Sequence, residues 1–403
     1  MKLEMPAVQT RHTEDEIQAA VRAMRDGKTY SQGEELKAFE SEFAAYLGAP
    51  SAVGLSSATG ALELAAMIAK VGPGDEVVMP AHTFVASAVP FARTGAKLVW
   101  ADIDPATRTI NVETVRKCLS PRTRVVVVVH LYGLCAEVEP IAALCREHGV
   151  LVVEDCAQAP GAERHGRKAG TIGDFGCFSF HTHKNMTTLG EGGMLVCRNP
   201  EHDIAARKMR WMGNWPFEQQ REKYWLPAMG NIVEPLPGVW PANYCLGEIQ
   251  CAVGRATLKR LDAINDNRRQ QAARFRAALA DCPELAFQEV SEPRAHVYHL
   301  LSARVDGIDR DALIERLYTK YEIKAIVQYI PLYRTPLFHA FGYDKAVCPD
   351  SDRYFDRMIS FPWWTQMPEP MLDYMAASTR SAVTELRAAL AGVHSSKPAH
   401  EVR

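Results

Sequence analysis

Five consecutive valines, Val125 to Val129, constrain this chain more than any other run. A β-branched stretch with no polar alternation has no wet face, so it reads as a strand covered on both sides, as in a parallel sheet flanked by helices. Similar apolar runs lie at Ala52 to Leu55, Glu76 to Met79, Lys97 to Ala101, Val150 to Glu154 and Gly176 to Phe180, with helical patterns between them. This alternation predicts an α/β fold with a mostly parallel sheet between helices.

Open sheets of this kind gather ligands beyond the carboxyl ends of their strands. Four segments fall there: Ser56 to Gly60, His82-Thr-Phe84, Asp155, and His181 to Lys184. A lysine can form an imine and a carboxylate can hold a protonated pyridine, and pyridoxal phosphate needs these two groups most from a protein. Lys184, following the strand-end acid Asp155, therefore points to an enzyme using that cofactor.

Each residue also has a plainer reading. Ser57 and Thr59 at a helix start serve as N-caps in most proteins, although free N–H groups there also suit a phosphate. An aspartate at a strand end commonly caps or is solvated, Gln158 can be a turn residue, and a phenylalanine such as Phe84 more often belongs to a core. Ser179 and His181 alternate along one strand and so share a side, while Gly190, Gly192 and Gly193 permit a tight turn or a hairpin.

A formal net charge of -2 gives no basic excess for nucleic acid. No apolar leader or bilayer-length run is present, which predicts a cytoplasmic protein without a membrane partner. The ten cysteines are scattered without a Cys-x-x-Cys pair, and no His/Cys spacing suggests a metal. His296, Tyr298 and His299 read as strand-packing residues.

The second half reads as one helix from Gly247 to about Leu279, a strand from His296 to Val305, a helix from Arg310 to Tyr321 opened by Asp309, and a strand from Ile323 to Ile330. The expected division is a large domain over residues 1–250, a smaller C-terminal α+β domain over 251–394, and a disordered tail over 395–403.

Gly54 to Leu64, Pro80-Ala-His-Thr-Phe-Val-Ala86, Glu154 to Ala162, Phe178 to Gly193 and Asn243-Tyr244, taken in order, resemble the sugar aminotransferases of the DegT and StrS type, a branch of the aspartate-aminotransferase fold (fold type I). The resemblance runs from about Tyr30 to about residue 380. It implies that Lys184 forms the imine with pyridoxal phosphate and shuttles protons, that Asp155 binds the pyridine nitrogen, that Gln158 contacts the ring and that Phe84 stacks on it. It further implies that Ala58, Thr59 and Ser179 hold the phosphate, with Asn243 reaching it from the other subunit of a homodimer. The implied reaction moves an amino group from L-glutamate to a keto-sugar, commonly nucleotide-linked.

There are departures from the family pattern. An Asn-Tyr-Arg-Met stretch is here Asn243-Tyr-Cys-Leu246, the glycine before the phosphate threonine is Ala58, and a His-Gly is Met212-Gly213. A cyclitol aminotransferase would use the same machinery. A sugar dehydratase of this fold carries histidine in place of Lys184, and a non-catalytic regulator would be expected to lose Lys184 or Asp155. Trp211, Trp215, Trp225 and Trp240 could stack on a sugar or base, or pack a loop.

Overall fold

The computed structural model describes residues 2–6, 10–214 and 232–395. Its main sheet has seven strands: β1 (Val53–Leu55), β2 (Glu76–Pro80), β3 (Lys97–Ala101), β4 (Thr123–Val129), β5 (Leu151–Asp155), β6 (Phe175–Ser179) and β7 (Gly193–Cys197). Their spatial order is β1-β7-β6-β5-β4-β2-β3. Only β7 runs against the rest, pairing antiparallel with both β1 and β6. The six strands read from the sequence are all present, whereas β7 has no counterpart in that reading. From the sequence its glycines read only as a turn or hairpin.

The five valines of β4 are buried and alternate between two apolar clusters, as a doubly covered strand requires. Val125, Val127 and Val129 join Leu62, Ala65 and other residues of the helix Ala58–Ile68 on one face. Val126 and Val128 meet Val138, Ile141 and Leu144 of the helix Val138–Glu147 on the other. The β1 and β2 crossovers thus place loop ends on the same edge as the tip of β5.

A second sheet is antiparallel, in the order Leu285–Phe287, Leu301–Val305, Met358–Phe361. Here the sequence reading needs three corrections. The expected helix from Gly247 to Leu279 is two helices, Glu248–Leu258 and Leu261–Ala278. No proline marks the break; instead Arg260 is held by Glu16 and donates to the Arg11 carbonyl at 2.8 Å.

The strand expected from His296 begins only at Leu301, because the preceding residues bond to the loop after β4. Cys135 donates to the Ala295 carbonyl at 2.7 Å and Val297 to that of Gly133 at 2.9 Å. Nor is Ile323 to Ile330 a strand: it makes isolated bridges at Ile323 and Ile326, and its remainder turns toward the main sheet. The helix Arg310–Tyr321 is present, with Asp309 capping the Ala312 amide at 2.6 Å. Among the described residues no helix is long and apolar enough to cross a membrane. All ten cysteines are unpaired and eight are buried, in keeping with their reading as small hydrophobes. The expected tail lies, but for Ser395, outside the described residues.

Candidate active site

The loops after β1, β2, β5 and β6 meet at a cavity of about 470 Å³. Ala58, Thr59, Phe84, Ser179 and Lys184 all line it, so five of the eight predicted site residues share one wall system. Ser57 caps the helix Ala58–Ile68 by accepting the Gly60 amide at 3.1 Å. Within the helix the first amide to bond back is that of Ala61, to the Ser57 carbonyl; Ala58 and Thr59, whose amides have no intrahelical acceptor, line the cavity. β7 allows this close approach because a Cβ at Gly193 would stand 2.3 Å from the Ser57 carbonyl carbon. The glycine is required by space, since its φ is not in the left-handed region.

Asp155 lies beneath the wall, 5% exposed, and its carboxylate is held from two sides. Ser87 Oγ donates to Oδ2 at 2.7 Å and the Ala157 amide to Oδ1 at 3.0 Å. A carboxylate oxygen has two lone pairs, so each retains capacity for a further N–H. Burial pushes the Lys184 amine down to about 8, opposed by the attraction of Asp155. The Lys184 side chain as a whole is half-buried because it opens on the cavity, yet protein atoms surround the amine, and desolvation governs it.

Gln158 sits just behind the wall, with Oε1 accepting the Tyr132 amide at 2.7 Å. Phe84 is 48% exposed and its ring centroid lies 5.6 Å from that of Tyr329. The structure does not bring Asn243 to this cavity: it is exposed, and its Oδ1 accepts the Cys245 amide at 3.1 Å. Its neighbour Tyr244 docks on the site instead, through Ser56 N–H to its carbonyl at 2.8 Å and its hydroxyl to Glu63 at 2.7 Å. Cys245 Sγ accepts from Gln32 at 2.7 Å.

Several contributors escaped the sequence reading. Ser87 carries no sequence signal of its own, while Gln328 and Tyr329 fall in the segment the sequence reads as a strand. His82 bonds the Tyr132 hydroxyl at 2.8 Å, and that hydroxyl donates to the Gln328 carbonyl, tying the cavity floor to the second half of the chain. His296 packs as expected, stacked on Tyr298 at 3.9 Å. His299 does not merely pack: it is buried and lines the cavity.

One buried group, His130, Glu154 and Cys156, has the composition of a metal site. Glu154, however, already accepts the Gly170, Ile172 and Gly173 amides at 2.8, 2.7 and 2.6 Å and pairs with His130 at 3.0 Å. His130 Nδ1 accepts the Ala136 amide at 3.0 Å. These donors are spent on holding loops. Of the four tryptophans, Trp215 and Trp225 lie outside the described residues. Trp240 is 91% exposed, and Trp211 bridges Asn243 through its backbone.

The sequence model of the DegT/DnrJ/EryC1/StrS aminotransferase family matches residues 11–380, extending further toward the N-terminus than the motifs. A UDP-N-acetyl-3-dehydro-alpha-D-glucosamine 3-aminotransferase of Acidithiobacillus ferrooxidans is 32% identical, over 91% of this chain and 93% of that protein. A dTDP-3-amino-3,4,6-trideoxy-alpha-D-glucose transaminase of Streptomyces venezuelae is 33% identical, over 88% and 89%. Spr1654 of Streptococcus pneumoniae, solved in a PLP form, superposes with a TM-score of 0.83 at 25% identity, over 95% of this chain and 99% of that one.

Proposed function

We propose, from the premise that the chain belongs to the DegT/DnrJ/EryC1/StrS aminotransferase family, that it transfers the amino group of L-glutamate to a nucleotide-linked keto-sugar with pyridoxal phosphate as cofactor. The observation that carries this reading is the desolvated Lys184 amine, held to about 8, in one cavity with the open helix start at Ala58 and Thr59 and above the buried Asp155.

These residues fit the cofactor. Open amides at a helix start suit a phosphate, and Ser179 lies beside them. Asp155, with lone pairs to spare, suits a pyridinium N–H, and Ser87 keeps that carboxylate aimed. Phe84 offers a ring face, and Gln158 stands behind the wall. When bound, pyridoxal phosphate supplies an electron sink for the carbon losing its proton. Lys184 would offer the neutral amine that holds the cofactor's carbonyl carbon and, at Nζ, the base that would take and return the proton.

Names of relatives acting on UDP- and dTDP-linked sugars favour a nucleotide-linked acceptor over a cyclitol. Lys184 and Asp155 are both in place, which favours catalysis over a purely regulatory role. The exposed position of Asn243, away from its own cavity, supports a homodimer in which it serves the partner's site. Ten unpaired cysteines fit a reducing, cytoplasmic setting.

The test uses purified enzyme in its pyridoxamine form, offered a panel of nucleotide-linked keto-sugars and cyclitol ketones. Return of the aldehyde-form absorbance with one nucleotide-linked sugar is expected. Return only with a cyclitol ketone would favour that acceptor, and no return with any ketone would overturn the reading.

A further inference from the structure

The cavity poses an electrostatic question. A glutamate donor carries two carboxylates, and the one on the reacting carbon must lie within a few ångströms of Lys184. Yet no arginine lines the cavity among the described residues. What the wall does hold is His299, 3% exposed, whose Nδ1 has no hydrogen-bond partner among the described residues. Burying a ring nitrogen without a partner is costly unless a ligand completes it.

Behind His299 stands Arg268, fully buried on the helix Leu261–Ala278. Its Nε donates to Thr365 Oγ1 at 2.8 Å, and its Nη1 to the carbonyls of Tyr298 at 3.0 Å and His299 at 3.4 Å. Among the described residues Nη2 has no hydrogen-bond partner, and no carboxylate lies within ion-pair reach. The result, among the described residues, is a buried cation without a carboxylate partner directly behind His299, the buried imidazole of the wall. A neutral hydroxyl would gain little from such a field, whereas an anion would gain much.

We propose that His299 donates a hydrogen bond to the reacting-carbon carboxylate of the amino-acid donor, and that Arg268 is the positioning residue that fixes the His299 backbone and supplies the favourable field. This assignment rests on the aminotransferase reading and names how that site takes its donor. Burial, followed by the charges of Lys184, Arg268 and His183 that face it, holds His299 well below the usual histidine range, so it presents one N–H and one lone pair at neutral pH. Burial likewise draws Arg268 down to about 9, still charged at neutrality.

The two half-reactions separate this role from a structural one, because the keto-sugar brings no such carboxylate. In the pyridoxal-phosphate-loaded enzyme, His299→Phe should weaken glutarate, an unreactive dicarboxylate, by about ten- to a hundredfold in calorimetric Kd, the range for a hydrogen bond to a charged group. It should slow conversion by glutamate by a similar factor and leave the keto-sugar half-reaction within about twofold. His299→Gln, which restores an N–H, should recover much of the loss. Arg268→Lys should retain glutarate binding and Arg268→Met should lose it; should the latter not fold, the His299 pair decides. Unchanged glutarate affinity in His299→Phe, or equal damage to both half-reactions, would overturn the assignment. A protein that takes up no pyridoxal phosphate would instead refute the aminotransferase reading beneath it.

Discussion

Ser87 Oγ donates to Asp155 Oδ2 across 2.7 Å, joining the loop after β2 to the tip of β5, 68 positions away. This bond, with that of the Ala157 amide, fixes the orientation of the buried carboxylate beneath the cavity wall. Orientation matters because a misaimed carboxylate would hold a pyridinium poorly. Ser87→Ala should therefore lower turnover by about tenfold, the low end of a hydrogen bond to a charged group, while the cofactor stays bound. Asp155→Asn should lose most of the rate, since an amide does not favour the protonated ring. Steady-state turnover beside the cofactor absorbance checks both, and normal turnover in Asp155→Asn would contradict the role.

Lys184→Ala should abolish the yellow, borohydride-reducible chromophore without unfolding the chain. Mass spectrometry of the reduced wild-type protein should place the label on Lys184; label on Lys168 would refute the assignment.

The depressed Lys184 amine makes a pH prediction with a definite sign. Only the neutral amine forms an imine, so cofactor-free protein should take up pyridoxal phosphate faster as pH rises through about 8, then level off. An ordinary lysine would keep gaining toward 10.5. Between those two values the unfolded chain binds the additional proton, so this group's contribution to the stability of the cofactor-free protein rises with pH across the same window. Stopped-flow absorbance and thermal melts against pH test the two statements separately.

Gly193→Ala should strike the helix start at Ala58 and Thr59. Its Cβ would meet the Ser57 carbonyl oxygen at 2.5 Å and the Ala58 nitrogen at 2.6 Å, so the helix start must move. A loss of about 1–3 kcal/mol in stability is expected, with weaker cofactor binding. Denaturant titration and fluorescence quenching measure them, and retention of both would show that the strand yields in place of the helix.

Asn243 lies outside its own cavity, which predicts complementation between subunits. Lys184→Ala and Asn243→Ala chains, each impaired alone, should regain part of their activity when exchanged into heterodimers. Heterodimers without recovery would remove Asn243 from the partner's site.

The layered α/β sheet is legible in the sequence because each of its cues is local. Five valines exclude a wet face wherever they fold, Asp309 caps its own helix, and Asp155 and Lys184 declare themselves by residue type at strand ends. Where the local pattern is silent or misleading, long-range packing sets the outcome. The helical pattern through Lys259 and Arg260 breaks because Arg260 is drawn to Glu16, more than two hundred positions upstream. The alternation from His296 looks like a strand but is spent on backbone bonds to Gly133 and Ala295's partner Cys135. Ser87, Tyr329 and His299 join the site for the same reason: their place follows from which loops pack together, and that choice is made by buried area and by satisfying polar groups across the whole chain, quantities that no window of sequence contains.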